Sequence, residues 1–149
     1  MGAQSNATPT PPPMTSLSVG LLVYSLLSSD TAIAAKATRI YPVVAEQDAK
    51  LPYICYRRAD FYRNYAKGPG QGPDAVSVEI LCYASNYKES IELAELVRGC
   101  LDHMQATYTD SENNRSLVAR SIDIVGAEEG WADDAYAQSL VFTVRVNNV

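Results

Sequence analysis

Apolar and polar residues alternate along residues 75–84, where Val76, Val78, Ile80 and Cys82 fall at every second position. This period of two predicts a strand with one buried face. Ser85-Asn86 follows directly, and both side chains suit a helix N-cap because their oxygens accept hydrogen bonds from first-turn amides. The apolar period then lengthens to three and four, at Ile91, Ala94, Val97, Leu101 and Met104, widened by Leu93, Leu96 and Cys100. This pattern predicts an amphipathic helix up to Gln105 that packs on the strand.

Weaker patterns of the same two kinds mark the other elements. A first helix is predicted from Thr15 or Ser16, with a short helical turn at 31–36 and a brief extended piece at 39–44. Further strands are predicted at 53–59, 117–125 and 136–146. The expected fold class is α+β, a mainly antiparallel sheet of about four strands, with the N-terminal helix and one long amphipathic helix packed on one face.

Three segments lack both periods and are predicted to connect these elements. Residues 60–74 hold three glycines and two prolines, which predicts a long loop, and the tip of a projecting hairpin if its strands pair antiparallel. Residues 107–114 are predicted to be a polar connection. Residues 126–135 are predicted to be an acidic loop around the single tryptophan, with Glu128, Glu129, Trp131, Asp133 and Asp134.

The length of 149 residues predicts one domain. Residues 1–14 are predicted to be a proline-rich arm, and residues 15–149 the domain. Residues 1–13 cannot supply apolar burial and are expected to be extended or disordered by themselves. The apolar run from Val19 to Leu27 is too short to span a bilayer. Residues 1–13 contain no Lys or Arg for a signal peptide, so we expect a protein that stays inside the cell where it is made.

The charge pattern argues against nucleic acid as a direct ligand. The formal net charge is −5, and phosphate binding needs clustered basic residues. The one local concentration here is Arg57, Arg58, Arg63 and Lys67.

The sequence offers little for catalysis, metal binding or a cofactor. Its three cysteines lack a metal-binding or disulfide spacing and are interpreted as small core residues. His103 is the single histidine, so no histidine-based metal cluster can form. The acidic segment misses the EF-hand ligand spacing, and the glycine-rich segment lacks the Lys-Ser/Thr of a phosphate loop. We therefore predict no catalytic residue, no metal, no cofactor and no enzymatic activity.

Ten tyrosines favour a protein interface, because tyrosine suits an amphipathic surface that is later covered. Several of them lie near the predicted hairpin, where core packing accounts for some and a partner surface for those in the loop. The candidate interface residues are Tyr62, Arg63, Tyr65, Lys67 and Gln71 in the first loop, and Glu128, Glu129, Trp131, Asp133 and Asp134 in the acidic one.

The order of several short motifs resembles the tail-completion, or tail-terminator, proteins of long-tailed bacteriophages and related prophages. The resemblance covers residues 15–147. Its motifs are the helix at 21–28, Arg39-Ile40-Tyr41-Pro42, Leu51-Pro52-Tyr53-Ile54-Cys55-Tyr56, the strand at 78–84 running into Tyr87-Lys88-Glu89-Ser90, and the last strand at 138–144.

The resemblance implies a structural virion protein that forms a homohexameric ring on the head-proximal end of the tail tube. The ring would end tube polymerisation and join the tube protein to a head connector or stopper protein. DNA would pass through the lumen without specific binding, helped by acidic lumen residues that repel it. The protein would lie in the neck of the tail after assembly in the host cytoplasm, without membrane contact. Another head-completion or tube protein, or a small enzyme or nucleic-acid-binding module, remains an alternative.

Overall fold

The computed structural model of the chain describes residues 14–63 and 74–147. A short 3₁₀ turn at Ser16–Ser18 leads into the first helix. The helices are α1 (Val19–Ser29), α2 (Thr31–Lys36) and α3 (Tyr87–Leu101). The strands are β1 (Arg39–Pro42), β2 (Tyr53–Tyr62), β3 (Asp74–Ala84), β4 (Met104–Asp110), β5 (Arg115–Ala132) and β6 (Ala135–Val146).

All six strands belong to one sheet in the order β1-β2-β3-β6-β5-β4. β1 pairs parallel with β2, and the other neighbours pair antiparallel. The sheet curls into a half-barrel. The expected fold class was therefore wrong: the protein is mostly β, with a mixed six-stranded sheet and small helices, rather than a four-stranded antiparallel sheet with one long helix.

The missed strand β4 owes its conformation to its pairing partner more than to a buried apolar face. β4 covers the first half of the predicted polar connection, residues 107–110, and pairs with β5 from Met104 to Asp110. None of its residues is fully buried, and its alternating apolar residues Met104, Ala106 and Tyr108 form only a partly exposed stripe. The inter-strand backbone hydrogen bonds that stabilise β4 can be predicted only when its partner strand is known.

β3 lies at the centre of the sheet and confirms the predicted strand at 75–84. Burial alternates at every residue from Asp74 to Ala84. Its apolar face shares one core with β6, β5 and the helices, whose largest fully buried side chains include Phe142, Leu22 and Leu93. The helices thus cover one face of the sheet. A smaller cluster of Tyr41, Tyr53 and Cys55 lies apart from that core.

Helix α3 begins where the sequence predicts and ends earlier. The Asn86 side chain accepts a hydrogen bond of 2.8 Å from the Glu89 amide, as expected of an N-cap. The helix stops at Leu101 rather than near residue 105, and His103 takes a left-handed backbone conformation with φ 64°. That conformation cannot continue an α-helix and turns the chain into β4.

The predicted acidic loop at 126–135 does not exist as a loop. Beyond the register shift between Ile124 and Gly126, β5 and β6 pair continuously as far as Ala132 and Ala135, so Glu128, Glu129 and Trp131 are strand residues. Asp133 and Asp134 form the two-residue turn, with φ values of 54° and 58°. Two successive positive φ values are typical of the tight turns that match the twist of a hairpin, and aspartate tolerates them.

β2 and β3 pair antiparallel as far as Tyr62 and Ala75, so the expected hairpin arrangement of these two strands is present. The remaining predictions for this region concern other residues. The arm at 1–13 and the candidate residues Tyr65, Lys67 and Gln71 lie outside the described residues.

Candidate functional site

The described members of the two groups of candidate interface residues lie at opposite ends of the sheet. Tyr62 pairs with Ala75 at one end of β3, whereas Trp131 pairs with Tyr136, which in turn faces Ala84 at the other end. Ala75 and Ala84 are nine residues apart, about 30 Å at the usual rise of a strand. The two groups therefore form separate surfaces.

The first surface includes the end of β2. The Tyr62 side chain is 62% exposed, and its hydroxyl donates a 2.9 Å hydrogen bond to the Asp60 carboxylate. This hydrogen bond is the main cause that raises the pKa of Tyr62. Arg63 follows directly and is also exposed. An exposed aromatic ring held in place by its own strand suits contact with a partner.

The second surface contains a pocket of about 330 Å³, here called the aromatic pocket. Glu129 and Trp131 are two positions apart on β5 and so point to the same face of the sheet. The first residue of α3 and two alternate residues of β6 complete the pocket. Its lining residues are Tyr87, Glu129, Gly130, Trp131, Tyr136 and Gln138.

Three rings form the apolar part of the aromatic pocket. The Trp131 and Tyr136 ring centroids are 5.0 Å apart at an interplanar angle of 81°. Those of Tyr136 and Tyr87 are 5.9 Å apart at 62°. Both are edge-to-face arrangements of the kind that stabilise aromatic pairs. Trp131 remains 60% exposed, so a large apolar surface is left uncovered.

The Glu129 carboxylate forms the polar part of the pocket. The Tyr87 hydroxyl lies 3.0 and 2.9 Å from its two oxygens and can donate to either, and the Gln138 amide donates a hydrogen bond of 3.1 Å. These donors are neutral, and no Lys or Arg in the described ranges forms a salt bridge with Glu129. The hydrogen bond to Glu129, followed by desolvation, raises the pKa of Tyr87. The pocket thus holds an acidic group without a cationic partner among the described residues.

The other acidic candidates do not join this pocket. Glu128 alternates with Glu129 and so points to the helix-free face, where its pairing partner Ser139 donates a 3.1 Å hydrogen bond to Glu79. Asp133 lies in the turn and lines a separate cavity of about 450 Å³ beside the Tyr41, Tyr53 and Cys55 cluster. Asp134 is the second turn residue. The four carboxylates therefore do not act as one acidic group.

His103 lies between two carboxylates at the junction of α3 with the sheet. Its ring nitrogens are 3.4 Å from Asp102 and 3.3 Å from Asp123. These three residues are spaced closely enough to hold a cation. Arg98 and Arg145, however, approach the same two carboxylates at 3.7 and 3.8 Å and already offset their charge. The arrangement links the end of a helix to β5.

The cysteines behave as the sequence predicts at two positions. Cys55 and Cys82 are buried, and desolvation is the main cause that raises the pKa of each thiol. Cys100 is partly buried, and burial together with Asp30 raises its pKa to about 11. A thiol that remains protonated at neutral pH is a weak nucleophile.

Tyr87, Tyr136 and Gln138 are the functional candidates that sequence analysis missed. Tyr87 is 42 positions from Glu129 in the chain, so no local spacing connects them. Tyr136 reaches Trp131 only through the tight turn between β5 and β6. A correct prediction of that turn would have placed Tyr136 opposite Trp131, whereas the contribution of α3 needed the whole fold.

No helix in residues 14–63 and 74–147 is both long and apolar enough to cross a membrane. No family model and no curated relative matches the sequence. Among solved structures, the fold matches a chain of the "Virion of native gene transfer agent (GTA) particle" with a TM-score of 0.63. The match covers 85% of this chain and 92% of that chain at 17% sequence identity. At that identity the comparison establishes a shared fold.

Proposed function

We propose that this chain is a structural protein of a phage-like virion, and that it caps the head-proximal end of the tail tube as a ring. The observation that carries the proposal is the fold shared with a chain of a gene transfer agent virion, over most of both chains. The finer assignment to the tube end comes from the resemblance of residues 15–147 to tail-terminator proteins.

The position of the candidate surfaces supports a role between two partners. A protein that joins a tube to a head connector needs one surface for each of them. Here the end of β2 and the aromatic pocket lie at opposite ends of β3. In the proposed ring one end meets the tube protein and the other meets the head connector or stopper protein.

The edges of the sheet support self-association. β1 and β4 are the outer strands, and neither has a second neighbour within the described part of the chain. A head-to-tail interface between unlike edges can close into a ring such as a homohexamer. Exposed apolar residues on the first helical segment, Leu17, Leu21 and Tyr24, add surface that a neighbouring copy would cover.

The net charge of −5 supports passage of DNA through such a ring without specific binding. A lumen of the same charge sign as DNA keeps the phosphate backbone away from the wall. Replacement of lumen carboxylates by lysine should slow DNA ejection, and an unchanged ejection rate would count against this part of the proposal.

The location of the protein in the particle tests the proposal. Electron microscopy of gold-labelled, epitope-tagged protein in complete particles should show label only at the head–tail junction. Label along the whole tube would identify a tube subunit, and label on tailless heads would identify a head-completion protein. Particles without label would contradict a virion role.

A further inference from the structure

We propose that the aromatic pocket binds an arginine side chain of a partner protein. The class of partner, another virion protein, rests on the proposed function. The preference for an arginine side chain follows from the chemistry of the pocket alone. The pocket lies at one end of the sheet, where residues of α3, β5 and β6 meet.

The charge of the pocket favours a cationic ligand. Glu129 receives hydrogen bonds only from the neutral Tyr87 and Gln138 groups among the described residues, which leave its negative charge in place. Some carboxylates in the described part are paired with a cation, as Glu79 is with Arg57 at 2.8 Å and Asp110 with Arg115 at 2.9 Å, whereas Glu129 forms no salt bridge there. An acidic group that is oriented by neighbours and lacks a cation is complementary to a cationic ligand.

The aromatic side chains of the pocket favour a cation with a planar face. Trp131 is the best ring for cation–π contact, and 60% of it is exposed beside Glu129. Tyr136 contacts the indole in an edge-to-face arrangement at a centroid distance of 5.0 Å, which limits the directions in which the ring can turn. A planar cation can therefore stack on the indole while it reaches the carboxylate.

The chemistry of the guanidinium group favours arginine over lysine as the ligand. The guanidinium group is planar, stacks on aromatic faces and is more weakly hydrated than an ammonium group, so it loses less on entering a half-open pocket. Its several N–H donors also suit a carboxylate whose oxygens already accept one or two hydrogen bonds. Arginine and tryptophan are, in addition, among the residues that contribute most to protein interfaces.

The single tryptophan makes the test direct, because the intrinsic indole fluorescence of this chain comes from Trp131 alone. The full-length protein is titrated with N-acetyl-arginine amide, N-acetyl-lysine amide and N-acetyl-citrulline amide. Citrulline has the shape of arginine without its charge. We expect a saturable change with the arginine compound, with a dissociation constant on the order of millimolar. Lysine should bind more weakly, and citrulline weaker than arginine by about tenfold or more.

Two variants test whether the charge of Glu129 contributes to arginine binding. Glu129→Gln keeps a hydrogen-bonding side chain and removes the charge, and it should weaken arginine binding by about tenfold. Glu128→Gln is the matched control on the opposite face of the same strand, and its affinity should equal that of the wild type. Thermal unfolding of both variants checks that they are folded.

Equal binding of arginine and citrulline by the wild-type protein would overturn the proposal, even if Glu129→Gln failed to fold. An unchanged affinity in a folded Glu129→Gln protein, or no saturable signal, would overturn it as well. Stronger binding of lysine than of arginine would reject the choice of arginine. None of these results changes the location of the protein in the particle, so the proposed function succeeds or fails separately.

Discussion

The Asp102 carboxylate connects α3 to β5 and shows how one side chain links stability to pH. It accepts a 2.9 Å hydrogen bond from the Ile124 amide, which is the main cause that lowers its pKa from the ordinary 3.8. The charges of His103 and Arg98 lower it further. Because the folded state favours the charged form, this contribution is present above pH 3.8 and is lost as the pH falls through the lower pKa of the folded state.

We therefore predict that Asp102→Asn lowers stability at neutral pH and that its difference from wild type shrinks as the pH falls below 3.8. Urea unfolding midpoints measured across this range report the difference. Asp134→Asn is the control, since it removes the same charge at the tight turn and asparagine also accepts a positive φ. A difference between Asp102→Asn and wild type that stays constant with pH would contradict the linkage.

At the residue scale, local sequence predicts burial better than it predicts polar contacts. The alternation of Val76, Val78, Ile80 and Cys82 was sufficient to assign their common buried face. The contact between Tyr87 and Glu129 depends on where a helix N-terminus meets the end of a distant strand. Such a contact leaves no periodic signal in the sequence.

The turn between β5 and β6 is the element that sequence analysis misassigned most clearly. The density of carboxylates and the glycines at 126 and 130 favoured a loop, although a two-residue turn flanked by paired strands is formed instead. The pairing of β5 with β6, which is itself paired with β3, overrides the weak strand preference of these residues and explains why the local pattern failed. The predicted helix extension to residue 105 failed for a related reason, because β4 begins at Met104 to pair with β5.

Substitutions at Asp134 distinguish a tight turn from a loop. Its φ of 58° is strained for a β-branched residue and unstrained for glycine. Asp134→Val should destabilise the protein by roughly 1–2 kcal/mol, whereas Asp134→Gly should be neutral or stabilising. The free energies of unfolding from urea titrations measure both. Equal stabilities of the two variants would mean that residue 134 lies in an unconstrained loop.

The packing of α3 on the sheet gives a second prediction at the element scale. Leu93 is completely buried, whereas Ile91 on the same helix is 37% exposed. Leu93→Ala should cost roughly 2–5 kcal/mol, because it opens a cavity in the core. Ile91→Ala is the matched control and should cost less than about 1 kcal/mol, in proportion to the smaller buried area that it loses. A larger loss of unfolding free energy for Ile91→Ala than for Leu93→Ala would mean that the helix packs through a different face.

At the scale of the whole molecule, the alternating burial of β3 and the N-cap of α3 followed from the local sequence pattern. The strand order β1-β2-β3-β6-β5-β4 and the parallel pairing of β1 did not, because they depend on contacts between distant segments. The separation of the two candidate surfaces follows from that topology. Because the two candidate surfaces are separate, we propose a role between two partners rather than a role with a single binding surface.

Electron microscopy of particles made without this gene tests the central claim most directly. If the protein ends the tail tube and prepares it for joining, the lysate should contain overlong tubes of irregular length beside DNA-filled heads without tails. A plasmid-borne copy of the gene should restore tails of uniform length attached to heads. Normal tails joined to normal heads in the absence of the gene would contradict the account.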